Sequence, residues 1–373
     1  MVTSFAKVES SNNMNRKLIK ILLLVVAVCP LGGSAQTPQS PLTSREVVAL
    51  VYQLPKHPEK RDEIVEEIRR RGIGFPLTDG MRSLVATKSG SDVLLRRTLE
   101  EAERRRINPA ASVRPPDAEA NELLDRTRTA TLAAANAMPD FIVKQLIKRS
   151  VAYGTTTNWI PQDNLTIAVA YRANLGEQYK VLAVNGLPLG QEVKEGTNYS
   201  KYVGGATSSG VEYISAVADV FKPESKTEFK LVDTDLIRDR RTVIYEYEIE
   251  KPLSKLTLSS DDASANVGSR GRVWIDRETN RVLRFEQIAT EIPGDFPITA
   301  ASSVIDYDWV TINENKYLLP TRSEILLTTV KKSMTLQSRN EIRFRGYQKF
   351  GAELKVIDEI DEKDFPPDKP EKP

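Results

Sequence analysis

From residue 42 to residue 107 the apolar positions recur every three or four residues, which is the period of a helix. Thr43-Ser44-Arg45-Glu46 is a capping box: the threonine hydroxyl accepts from the Glu46 amide while the glutamate reaches back. Behind it Val47, Val48, Leu50 and Val51 supply an apolar face. A second helix opens at Pro58 and presents Ile64, Val65 and Ile68, then stops near Gly72. A third follows Thr78 with Met81, Leu84 and Val85, and a fourth runs from Ser91 through Leu95 and Leu99 to Arg106. None is long enough to be stable alone, so together they predict a small all-α bundle over 42–107. Residues 108–117 (NPAASVRPPD) read as a linker. A helix returns near Ala118, with a stripe of mostly small residues at Leu123, Thr127, Ala130, Ala134 and Ala137, and Pro139 ends it.

From Asp140 the period changes to two. Phe141, Val143 and Ile147 alternate in a first run, Leu165, Ile167, Val169 and Tyr171 in a second, and Tyr179, Val181 and Ala183 in a third. Further strands are expected over 227–233, 241–250, 272–276, 282–288, 304–310, 317–329, 335–345 and 354–357. Ser209-Gly210-Val211-Glu212 interrupts them as a capping box, and Ile214, Val217, Ala218 and Phe221 follow at helical spacing. The hairpin-length connections make this one antiparallel sheet. The fold class is therefore α+β: a large curved antiparallel sheet, an incomplete barrel, with covering helices over 118–357, preceded by the small all-α bundle. Residues 358–373 are charged and proline-rich and read as a disordered tail.

The first residues carry a different signal. Asn15-Arg16-Lys17-Leu18-Ile19-Lys20 is basic, Ile21–Val28 is apolar, and small residues stand at Gly33 and Ala35. This is the pattern of a signal peptide cleaved near Ala35, and its apolar core is about half the ~20 residues that span a bilayer. The expected location is the periplasm or the medium, with no transmembrane segment left after cleavage. Translation from Met14 instead of Met1 would suit the basic stretch equally. Cys29 is followed by Pro30, not by the small residue that lipidation favours.

Charge and composition narrow the chemistry. The chain has 53 Lys and Arg against 51 Asp and Glu, so no long-range field favours nucleic acid. One cysteine and one histidine exclude a disulfide framework and a Cys/His metal site and argue against a histidine-based triad, and neither an enzyme, a cofactor nor a metal is expected. His57, beside Lys56 and Pro58, reads as solvated surface. Asp306 with Asp308 reads as an exposed sheet face, and Asp233, Asp235 and Asp239 as a turn without the spacing of a calcium loop. Gly204–Gly210 lacks the lysine of a phosphate loop. The runs Arg69-Arg70-Arg71 and Arg104-Arg105-Arg106 suit solvated helix C-termini.

Gly271-Arg272-Val273-Trp274-Ile275-Asp276, with Arg281-Val282-Leu283-Arg284-Phe285-Glu286 after it, resembles a mid-sheet hairpin of the periplasmic lipoprotein-sorting carrier family. Tyr317-Leu318-Leu319-Pro320-Thr321 and Phe344-Arg345-Gly346-Tyr347-Gln348-Lys349-Phe350 are similar to later parts of it. The resemblance covers roughly residues 119–357 and leaves the helices of 42–107 outside. It implies a curved sheet holding an acyl chain against helices, and it brings no catalytic residues.

On that reading the function is binding of a lipid, an acyl-bearing or another hydrophobic ligand, with a lipid or lipidated protein as partner. The alternative is an envelope scaffold or interaction module without a cavity, which docks a protein partner through residues 42–107. The candidate cavity lining is Phe141, Val143, Leu165, Ile167, Val169, Tyr171, Val181, Val273, Phe285 and Trp309; the same residue types equally make a packed core. Trp274 falls on the strand face opposite Val273 and Ile275, as a membrane or partner contact or as packing under the helix near 210–221.

Overall fold

The computed structural model describes residues 40–154, 156, 158–173, 175–188, 213–260, 263–331, 334–349, 360–361 and 364–365. The expected leader with Cys29, the capping box expected at 209–212, the glycine-rich run at 204–210 and the strand expected at 354–357 lie outside the described residues.

Four helices come first: α1 (Ser44–Val51), α2 (Arg61–Arg71), α3 (Asp79–Ser89) and α4 (Val93–Ile107). Their starts are written locally. Thr43 and Glu46 form the reciprocal capping box, Thr78 accepts from the Met81 amide, and Asp92 accepts from the Leu95 amide at 2.8 Å. Gly72, with φ of 68°, turns the chain out of α2 in a conformation that a side chain disfavours. Val47, Val51, Ile64, Ile68, Leu95 and Leu99 converge in a core of their own.

The long helix α5 (Asp117–Asn136) leads into the sheet. Its strands are β1 (Phe141–Tyr153), β2 (Ile160–Arg172), β3 (Gly176–Val184), β4 (Leu187–Pro188), β5 (Glu228–Ile237), β6 (Arg240–Ile249), β9 (Gly268–Asp276), β10 (Val282–Thr290), β11 (Ile298–Ile312), β12 (Asn315–Lys331) and β13 (Met334–Lys349). The short β7 (Thr257–Ser259) and β8 (Ser264–Asn266) pair only with each other. Among the described residues a further helix, α6 (Ile214–Phe221), precedes β5.

The eleven strands lie in the order β4-β3-β2-β1-β13-β12-β11-β10-β9-β6-β5. Among the described residues every pairing in this sheet is antiparallel and β4 and β5 are its edges, so the curved sheet does not close. The last of these strands inserts beside the first, which ties the beginning and end of the sheet's sequence into one surface. The fold class is the one expected from the periodicities, with the helical bundle, the open sheet and its covering helices all present.

Alternation divides the sheet into two faces. On the inner face Phe141, Val143, Ile167, Val169, Val273, Phe285 and Ile305 form one continuous core with α5 and α6. Residues between them point outward, and there Arg284 lies opposite both Trp274 and Asp306. The helical bundle is seated on this outer face through ion pairs from α2 and α4.

Candidate functional site

Apolar and aromatic side chains pack against one another on the inner face. Phe141 stacks on Tyr171 with ring centroids 5.2 Å apart and meets Tyr213, just before α6, at 5.4 Å. Tyr213 also meets Phe344 edge-on at 6.1 Å. Phe221 at the end of α6 stacks on Phe229, and Tyr247 stacks on Phe285 at 5.6 Å. The Tyr245 hydroxyl donates to the Ala120 carbonyl at 2.7 Å, which fixes the first turn of α5 against the sheet.

Seven of the ten candidate lining residues, Phe141, Val143, Leu165, Ile167, Val169, Val273 and Phe285, are buried within this one core. Tyr171 and Val181 are half-buried and pack against it. Trp309 stands apart, 37% exposed, with the Arg281 guanidinium over its ring at 5.7 Å. Alternation thus brings nine of the ten together.

Two clefts lie elsewhere. One of about 320 Å³ sits at the seam of the bundle and the outer face, between Leu54, Arg61 and Asp92 on one side and Trp159, Ile288 and Leu326 on the other. The second, about 250 Å³, lies beside α6 and is lined by Ser215, Asp219, Ser254 and Ser269. None of the ten residues lines either cleft.

Gly271 of β9 is required by close approach. A Cβ there would stand 1.9 Å from the Glu286 carbonyl oxygen and 3.0 Å from the Tyr247 ring. The Tyr247 hydroxyl donates to that same carbonyl at 3.1 Å, so the ring lies across the glycine.

The outer face is polar and still largely excluded from water. Arg69 of α2 forks onto Glu286 of β10, at 3.3 and 3.0 Å. Arg272 of β9 bridges Glu66 of α2 and Glu246 of β6. Arg284 of β10 reaches Glu101 of α4 at 3.1 Å and Asp306 of β11 at 2.6 Å, and its guanidinium lies 5.5 Å from the buried Trp274 ring. Arg104 forks onto Asp235 at 3.0 Å through both nitrogens, and Arg105 pairs with Asp233.

Several features differ from their sequence expectations for this one reason. Arg69, Arg104 and Arg105 are docking side chains, not solvated helix ends. Asp306 is buried between Arg284 and Arg97, Asp308 pairs with Arg238, and Asp233 and Asp235 receive the arginines of α4. Trp274 is completely buried on the outer face. His57 is exposed and bonded to Glu59, as expected of surface.

The titration of this layer follows from burial set against pairing. Burial drives the Asp306 carboxyl upward, but Arg284 and Arg97 outweigh it and hold the group below its ordinary value. Asp235 goes the other way: burial, with Glu101 adding to it, raises it despite Arg104. Glu324 is pushed up to about 7 by burial, opposed by Arg97 and reinforced by Asp92 and Glu341. Burial and the neighbouring Arg284 lower Arg97, whose two terminal nitrogens make no hydrogen bond although Asp306 is 3.6 Å away.

Sequence reasoning missed Glu66, Glu101, Glu286 and Glu324. The signal for two of the residues involved was present in β10, where Arg284 and Glu286 alternate with Leu283 and Phe285. Among the described residues no group of three or more His, Cys, Asp or Glu side chains is placed to hold a metal ion. No helix among them is long and apolar enough to cross a membrane.

No protein-family model matches the chain, and no curated protein does. Among solved structures it is similar to a DUF1329 family protein from Desulfovibrio piger, with 9% identity and a TM-score of 0.30 over 61% of this chain and 94% of that one. It is also similar to a chain in the structure of MucB in complex with MucA(peri), with 10% identity and a TM-score of 0.16 over 59% and 93%. A chain of the Pseudomonas aeruginosa MucA/MucB complex gives 9% identity and a TM-score of 0.15 over 59% and 94%. None of the three assigns a role to this chain, and the lipoprotein-sorting resemblance rests on its sequence motifs.

Proposed function

We propose that this chain is an exported, non-enzymatic protein of the cell envelope that works as a scaffold for protein interaction. The observation that carries the reading is the packing of the inner face. Nine of the ten residues that would line an acyl cavity lie in or against one core closed by α5 and α6. A hydrocarbon tail gains roughly 0.8 kcal/mol per CH₂ on leaving water, but only where it finds room. Here aromatic side chains from the sheet and from Tyr213 take that room. The leader pattern around Arg16–Ala35 supports export.

The test is native mass spectrometry of protein purified from its own envelope, with lipid extraction and displacement of a fluorescent fatty-acid probe. The expected result is the bare polypeptide mass, no stoichiometric lipid and no probe binding. A lipid recovered at one per chain, or saturable probe binding, would overturn the scaffold reading in favour of a carrier.

A further inference from the structure

Along β9 and β10 the inner face changes character. Val273 and Phe285 lie opposite each other within the aromatic core, but the next two inward-facing pairs are Gly271 with Gln287 and Ser269 with Ala289. Large side chains give way there to small and polar ones. The cleft of about 250 Å³ beside α6 opens at this place, with Ser269 and Gln287 in its lining.

Ser269 is the residue that points to a ligand. It is 1% exposed, and among the described residues its Oγ has no hydrogen-bond partner. The Tyr247 hydroxyl lies near both Ser269 and Gln287, yet its proton goes to the Glu286 carbonyl at 3.1 Å. A buried hydroxyl without a partner forfeits the hydrogen bonds that water would give it, and a cleft is where a partner can enter. Ser254, also buried, lines the same cleft. Its Oγ accepts from the Leu256 amide at 3.1 Å, a bond that leaves the hydroxyl proton to be given elsewhere. Gln287 adds an amide, which both donates and accepts. Among the described residues the buried part of the lining sets hydroxyls beside Val220 and Ile249 and carries no charge. Asp219 is half-buried and held by Lys222 at 2.6 Å, and Lys255 is exposed at the rim.

We propose that this cleft binds a neutral sugar ring. Such a molecule gives and takes hydrogen bonds at neighbouring hydroxyls, while its C–H edges rest on apolar side chains. A ring hydroxyl seated on Ser269 completes the bond that the folded chain leaves unmade, and Ser254 and Gln287 serve its neighbours. The cleft is slightly smaller than the usual ligand pocket, which suits a single ring and an affinity of order millimolar. The site goes beyond the scaffold reading and does not depend on it.

The experiment is saturation-transfer-difference NMR of the full chain with glucose and N-acetylglucosamine as probes, alongside thermal melting followed by circular dichroism. Wild-type protein should give saturable transfer to at least one of the two sugars. Ser269→Ala should weaken that binding by about tenfold. The same variant should melt at the wild-type temperature or above it, since the lost hydroxyl made no bond within the fold. Gln287→Leu, which keeps the bulk and removes the amide, should weaken binding similarly and carries the test if Ser269→Ala fails to fold. Absence of saturable transfer to both sugars would overturn the proposal. So would undiminished binding to folded variants, which would place the sugar elsewhere on the chain. Equal binding of free alanine or of inorganic phosphate would overturn it in favour of a charged ligand. The lipid-extraction result decides the scaffold reading separately from all of these outcomes.

Discussion

The two faces of one sheet are covered by helices in opposite ways. Inside, α5 and α6 meet the strands through apolar and aromatic side chains, and the contact is non-directional. Outside, α2 and α4 meet the same strands through arginines and carboxylates whose geometry must be met pair by pair. The first kind of contact tolerates repacking and supplies stability. The second gives back little net free energy once desolvation is counted, yet punishes any single missing partner. The comparison teaches that a buried layer is not always a hydrophobic one, and that here the charged layer sets where the bundle sits.

Removing bulk from the inner face should have the largest effect. Phe285→Ala is expected to cost about 3–5 kcal/mol in urea unfolding, with little change between low and high salt. Arg69→Ala strands the buried Glu286 carboxylate and should cost about 3 kcal/mol or more by the same measurement. If the outer layer works as described, the joint replacement Arg69→Met/Glu286→Leu should recover much of that loss. A double variant as unstable as the single one would mean that the pair does more than neutralise itself.

Glu324 separates the faces by pH. Its folded-state value near 7 lies above the ordinary carboxylate value, so the folded protein holds a proton that the unfolded chain has released. Its contribution is therefore greatest at and below about pH 4.5 and is lost as the pH rises toward 7, by on the order of 3 kcal/mol. Glu324→Gln should flatten this part of the stability profile and leave the variant more stable than wild type at pH 8. Identical slopes for the two proteins between pH 5 and 7 would dismiss the idea. The smallest effect belongs to Arg70, next to Arg69 in sequence but half-exposed and paired within α2 to Glu67. Arg70→Ala should change stability by less than about 1 kcal/mol.

That adjacent pair also shows what the sequence could disclose. Period and caps located the helices well: Thr43, Thr78 and Gly72 act where expected because their partners are three or four residues away. Alternation placed the inner-face residues together for a similar reason, since each strand declares its own two sides. Trp309 obeyed no such rule, being exposed at a site where alternation alone suggested burial. The outer layer was illegible because its partners are distant along the chain. Arg69 and Glu286 are separated by 217 positions, and a run of three arginines looks the same whether it faces water or a sheet. Ile360 and Phe365, buried with Ile142, Ala168, Ala170 and Leu182, were hidden likewise, as two apolar residues in a charged, proline-rich stretch.

The bare backbone at Gly271, crossed by the Tyr247 ring, makes the alignment of β6, β9 and β10 self-checking. Sliding β9 by a single residue would bring Arg270 or Arg272 beneath that ring, where even the first carbon of a side chain collides with the neighbouring strand. The same slide would turn an arginine toward the aromatic interior and a valine toward the carboxylates. One missing methyl group thus acts as a key for the register of the central sheet.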